Sequence, residues 1–208
     1  MKSNRMAIKS ESARLGRPRG FDADRALDRA LAIFWRDGYE GASLPALTKA
    51  MGINRPSLYA AFGNKEALFR KAVERYDAGP AGYTYKALKR PTAREVVEAL
   101  LDGIVALLTK PQNPGGCLMV QGALACGKNA KRVRQSLASR RAAGVVAIRR
   151  RFQRAIDEGD LPASADASGL ARFVATVMHG MAVQAASGAN RKELLRVKDI
   201  VLRIWPPA

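Results

Sequence analysis

Arg55, Ser57 and Tyr59 fall within five consecutive residues, and Lys65 follows six positions on. A guanidinium, a hydroxyl, a phenol and an ammonium so close together are equipped to hold phosphate oxygens and to read base edges. Arginine offers a planar donor fork that matches guanine, whereas a phenol or an ammonium meets a phosphate whatever the sequence. Tyr59 and Lys65 are therefore expected on phosphates, with Arg55, Pro56 and Ser57 nearer to bases. Catalytic groups are sparse by comparison. His179 is the only histidine, and no Gly-rich phosphate loop, Walker motif or Rossmann fingerprint occurs. It lies in the apolar run 173–181 and reads first as a buried or interface histidine, next as a ligand contact, and last as a catalyst. No enzyme and no cofactor are expected.

The four outward side chains need helices to hold them, and residues 41–69 supply the pattern. Ser43 can cap a helix whose apolar Leu44, Leu47 and Met51 recur at spacings of three and four. Gly52 breaks that pattern, as a residue free to take positive φ can. Asn54 can cap a second helix, where Pro56 is tolerated in the first turn because its amide has no intrahelical partner. Leu58 and Phe62 then point inward, leaving Arg55, Ser57 and Tyr59 outside. Asn64 caps a third helix with Lys65 exposed at its start, where free amides favour an anion. Helix, short Gly turn, helix is the arrangement that lays a recognition helix in a major groove. Ser43 and Asn54, at the two helix starts, complete the expected DNA-facing set.

The same residues carry a resemblance. G-Y-E-G-A-S-L, M-G-I-N-R-P-S-L-Y-A-A-F and N-K-E-A-L-F together resemble the DNA-binding domain of tetracycline-repressor-type (TetR/AcrR) regulators. The likeness runs ungapped from about Phe21 to Tyr76. It is specific, because a generic helix-turn-helix lacks the L-Y-x-x-F and N-K-E-x-L-F pieces. Beyond it the chain is similar only in length and helical character. The resemblance implies a homodimer on a palindromic operator and the repression of genes.

Composition points the same way. The chain has 208 residues with 36 Lys+Arg against 18 Asp+Glu, a net charge of +18. Such an excess suits a polyanionic partner, because neutralising phosphates releases counterions; an Arg-rich composition that merely follows a high-GC genome is the bland alternative. Hydrophobic content of 48% with only 6% aromatic residues favours packed helices. No apolar run approaches the roughly eighteen residues of a membrane span, and residues 1–20 have no hydrophobic leader pattern. Two cysteines, Cys117 and Cys126, give no disulfide framework. A cytoplasmic protein without a membrane partner is expected.

The expected fold is all-α in three parts. Residues 1–20 are a flexible basic arm in which six cations face Glu11 alone. Its Arg17 or Arg19 either enters a narrow minor groove or adds only long-range attraction. Residues 21–78 form the helix-turn-helix domain, opened by a helix capped at Asp22 and carrying Leu27, Ala30, Leu31 and Phe34 inward. Tyr39 serves there as a phosphate donor or as an aromatic lid. A breaker cluster at 77–82 ends the domain, so that the helix 64–76 carries the continuity. Residues 79–208 form a helical effector-binding and dimerisation domain. Within it a helix from about 129 to 157, with Lys128 just before it, bears ten cations, including Arg140, Arg141 and Arg151, read mainly as a solvated face.

Three further assignments concern this second part. Apolar faces at 96–108, 117–124 and 173–181 are expected to enclose a small-molecule effector, with Leu101, Val105, Cys117, Gln121, Thr176, Met178 and His179 as contacts. The small-residue face Ala171, Ala175, Ala182 and Ala186, with Val197, Ile200 and Val201, is expected at the interface between two copies. Cys117 and Cys126, nine residues apart, fall on opposite sides of one helix and do not chelate together. No metal site is expected from the pair, although Cys117 with Met119 and His179 can form a soft thiolate site, and a metal- or oxidant-sensing repressor is one alternative. The other is a basic architectural DNA-binding protein without sequence preference. A dimeric repressor of unknown effector, released from double-stranded DNA by that effector, is the preferred reading.

Overall fold

The computed structural model describes residues 21–124 and 130–206, all helix and connection with no strand among them. Arg17, Arg19, Cys126 and Lys128 lie outside the described residues. Among the described residues ten helices follow in order: α1 Ala23–Gly41, α2 Leu44–Met51, α3 Arg55–Phe62, α4 Lys65–Ala78, α5 Tyr83–Ala87, α6 Ala93–Thr109, α7 Leu118–Leu124, α8 Lys131–Asp157, α9 Ala167–Ala186 and α10 Arg191–Ile204.

Side-chain caps start most of them. Asp22 accepts from the amides of Asp24 and Arg25 at 3.0 and 3.1 Å, and Thr92 caps α6 through Glu95 N. At α10 Asn190 and Glu193 form a reciprocal capping box. Helices α1 to α4 enclose a small aromatic core in which Phe34 meets Phe69 edge-on at 5.0 Å. Tyr39 is half-buried against the same two rings, the lid position.

The core does not stop at α4. Trp35 packs edge-on against Tyr76 with centroids 4.8 Å apart, and its indole N–H donates to the Gly116 carbonyl at 3.0 Å. The Tyr76 hydroxyl donates to Cys117 Sγ at 3.3 Å. Burial, and then the nearby Cys117, push the Tyr76 pKa up, so the phenol remains a donor. The first four helices are thus joined to the segment before α7 through buried contacts.

Helix α6 is the axis of the second half. Val96, Val97, Leu100, Leu101, Ile104, Val105, Leu107 and Leu108 are all buried, a face too broad for a surface helix. Helices α5, α8, α9 and α10 pack on it. The five-residue α5 is too short to show a period in sequence, and it docks by laying the Tyr83 ring over Gly103. On the far side Lys198 of α10 reaches Asp102 and Glu98 of α6 at 2.5 and 3.4 Å.

Two expectations for this half need correcting. Arg151 is buried at 5% exposure rather than part of a solvated face; its Nη2 donates to the carbonyls of Arg90 and Pro91 at 2.9 and 2.7 Å. It staples α8 to the turn that enters α6. Ala171, Ala175, Ala182 and Val201 are buried in the protomer's own core and are not available to a second copy. The alanines allow α8 and α6 to approach α9 closely, a use of small residues inside one chain that has the same sequence pattern as an interface. Ala186, Val197 and Ile200 are exposed.

Candidate nucleic-acid interface

The turn between α2 and α3 is closed by Gly52 at φ +70°, in the left-handed region that an L side chain resists. Its amide donates back to Lys49 O, and Ile53 N donates to Thr48 O at 3.1 Å. Ser43 Oγ accepts from Ala46 N at 3.2 Å, so α2 begins where expected. Asn54 Oδ1 accepts from Ser57 N at 2.8 Å. Both side chains are therefore occupied in capping, and each keeps an exposed position at the start of its helix.

Leu58 and Phe62 anchor α3 in the core. That fixes the opposite flank, where Arg55 and Pro56 are exposed and Tyr59 keeps 48% of its surface open. Ser57 is half-buried rather than fully outward, and its amide donates to the Asn54 side chain. Arg29 of α1 is an exposed cation that the sequence reading passed over. Its Nη1 lies 3.3 Å from where a Cβ on Gly52 would stand, so the guanidinium borders the helix-turn-helix turn. Its signal in sequence is weak, since Arg25 and Arg36 are outward cations on the same helix.

Lys65 is half-buried rather than exposed. Its Nζ sits 4.7 Å from the centre of the Tyr39 ring and donates to the Glu40 carbonyl at 3.4 Å. Burial lowers its pKa below the usual lysine value, and the Glu40 charge works against that fall. The ammonium therefore ties the start of α4 to the end of α1 at the same edge as α3. Asn64 caps α4 by accepting from Ala67 N at 2.8 Å.

A second concave feature lies away from this edge. A cavity of about 410 Å³ opens between the end of α4, α5, α6, the start of α7, α8 and α9. Cys117, Met178 and His179 line it as expected, and Met119 joins them. Leu101 and Val105 do not; they are fully buried on another face of α6, where Leu100, Ile104 and Leu107 face the cavity instead. Thr176 is exposed on the outer side of α9, and Gln121 packs its amide over Gly116. The sequence reading also missed Tyr83 and Arg140, from α5 and from the face of α8 assigned to solvent. Burial and then the charge of Arg141 hold the His179 pKa below the ordinary imidazole value, so the ring is neutral at pH 7. Among the described residues no group of three His, Cys, Asp or Glu side chains could hold a metal ion.

The comparisons with known proteins agree with this geometry. Residues 26–72 match the family described as bacterial regulatory proteins, tetR family, and residues 93–200 match the tetracyclin repressor-like C-terminal domain. The chain is 34% identical over 194 residues to the HTH-type transcriptional repressor ComR of Escherichia coli (strain K12), covering 92% of each. To the repressor BdcR of the same organism it is 36% identical over 121 residues, 56% of this chain and 60% of that one. Among solved structures it is similar to a cysteine mutant of the TetR family transcriptional regulator CifR complexed with 26-bp double-strand operator DNA. There the identity is 47%, the TM-score 0.88, and the match covers 92% of this chain and all of that one. With an outward Arg55 and Tyr59 on a helix set by a Gly turn, and relatives matched over nearly the whole chain, this protein belongs to the TetR family and is a DNA-binding transcriptional regulator, not an enzyme.

Proposed function

We propose that the protein is a homodimeric repressor that leaves a palindromic operator when a small molecule fills the cavity beside α4. In this reading residues 21–78 bind DNA and residues 79–208 bind the effector and the second copy. The observation that carries it is the span of α4. At one end Lys65 is tied beside the recognition helix α3, and at the other Tyr76 and Asp77 line the cavity. A ligand that displaces the second end re-aims the first. A tenfold loss of operator affinity needs a preference of only about 1.4 kcal/mol for the displaced state.

The CifR complex with operator DNA supports specific over architectural binding. Apolar stripes support the dimer: Phe173 and Val183 on α9, and Val197, Ile200 and Ile204 on α10, stay exposed in the protomer. The test is selection of binding sites from random DNA with purified protein, followed by a compound screen for release. A palindrome with half-sites about 34 Å apart is expected. Ile104→Trp, which fills the cavity, is expected to keep operator affinity and lose the response. A variant that responds normally to the inducer would place the effector elsewhere.

A second reading, metal or oxidant response through Cys117, is favoured by one observation: Cys117, Met119 and His179 line the same cavity. Release of DNA by a soft metal ion or peroxide in wild type but not in Cys117→Ser would establish it.

A further inference from the structure

The cavity lining itself carries more cations than carboxylates. Arg140 and Arg141, neighbours on α8, are both half-buried and both line it. Among the described residues Asp77 is the only carboxylate on that wall, and it is paired with Arg140. Glu74, one turn earlier on α4, stands 3.9 Å from the same guanidinium. Among the described residues Arg141 meets only a carbonyl, donating from Nη1 to Met119 O at 2.6 Å. Leu100, Ile104, Val145 and Met178 make much of the rest of the surface apolar. Arg140 thus has carboxylate partners in Asp77 and, from outside the lining, Glu74, while Arg141 has none among the described residues; a half-buried charge without a counterion draws one more strongly than a fully solvated charge does.

We infer that the cavity takes a small organic acid, an apolar body carrying one carboxylate, whose acid group displaces Asp77 from Arg140 with Arg141 as a second donor. This rests on the reading that the cavity holds an effector. A carboxylate is the group that a guanidinium fork matches in shape and charge. Asp77 is a replaceable partner: it is half-buried beside Glu74, and burial together with the Glu74 charge leaves its pKa above the usual carboxylate value in spite of the Arg140 charge and hydrogen bond. It is also the penultimate residue of α4. That helix is bound to α1 through Arg75 and Asp28 at 2.8 Å and through the buried Trp35–Tyr76 contact, so it moves with the DNA-binding helices. The Asp77–Arg140 pair ties it to α8. An acid that takes the place of Asp77 unties that end as it fills the cavity.

The test is calorimetric titration of the full-length protein with octanoate and 3-phenylpropionate, and with octanamide and 3-phenylpropanamide as uncharged controls of like shape. The acids are expected to bind about tenfold or more tighter than the amides. Arg141→Gln, which leaves Arg140 as the one remaining guanidinium, is expected to reduce that preference several-fold. Asp77→Asn is expected to tighten acid binding several-fold and leave the amides unchanged, a gain that damaged folding cannot imitate. Equal binding of acids and amides, or acid affinity unaltered in Asp77→Asn, overturns the inference and leaves the effector reading standing. Absence of binding by all four compounds also overturns it, and the effector reading is then decided by Ile104→Trp with the inducer found by screening.

Discussion

Arg55 and Tyr59 lie four residues apart, on one flank of α3, but their chemistry assigns them different work. A bidentate guanidinium discriminates bases, so Arg55→Ala is expected to cost about 1–3 kcal/mol and to relax preference at one position per half-site. Tyr59→Phe is expected to weaken all sequences alike, and binding selections on both variants separate the two outcomes. Lys65 is better probed by Lys65→Met, which keeps the packing on Tyr39 and removes the charge. If the ammonium also neutralises a phosphate, the log–log salt dependence is expected to shallow by about one unit per half-site. His179 sets a pH response. Its folded-state pKa is depressed, so the unfolded chain binds the extra proton and stability falls as pH drops through about 6.5, the ordinary imidazole value. Thermal melts of wild type at pH 5.5 and 7.5 are expected to differ in that direction, and His179→Gln to narrow the gap.

At the level of elements, what could be read in the sequence was what is decided locally. Asp22, Ser43, Asn54 and Asn64 cap their helices as read, because a cap bonds to amides two or three residues away. Asn54→Ala is accordingly expected to cost about 1 kcal/mol in urea unfolding, besides its effect on DNA. What sequence could not decide was which face of an ambiguous helix turns inward. Helix α8 carries cations almost all round, and nothing local marks Arg140, Arg141 or Arg151 as the ones that meet Asp77, Met119 O and the 90–91 carbonyls. In α9 the alanine face suits a neighbour within the chain as well as one outside it. The cavity was half legible for the same reason: the apolar face of α6 is so broad that choosing Leu100 and Ile104 over Leu101 and Val105 needed the position of α5. Gly103 fixes that position. A Cβ there would stand 1.9 Å from the Tyr83 ring, so overpacking of about 1–3 kcal/mol outweighs the roughly 1 kcal/mol that alanine gains in helix propensity. Gly103→Ala is expected to lower the melting temperature and displace α5 from α6.

For the whole molecule, the proposed dimer rests on the exposed stripes. Ile200 and Ile204 leave 55% and 62% of their surface open in the protomer, more than a solvated helix flank needs. Val197→Arg with Ile200→Arg is expected to yield a monomer in sedimentation and to lose tight operator binding while keeping weak, salt-sensitive DNA attraction from a chain of net charge +18. The buried joint at Trp35 has an optical consequence. The chain has two tryptophans, and Trp205 is buried separately against Phe152, so Trp205→Phe leaves a single indole emitter at the joint. That indole is dry and hydrogen-bonded to Gly116. Any event that parts α1 from the segment before α7 wets it and moves its emission to the red. The protein thus contains its own unlabelled fluorescent gauge, one that registers the state of the joint in real time whether or not DNA is present.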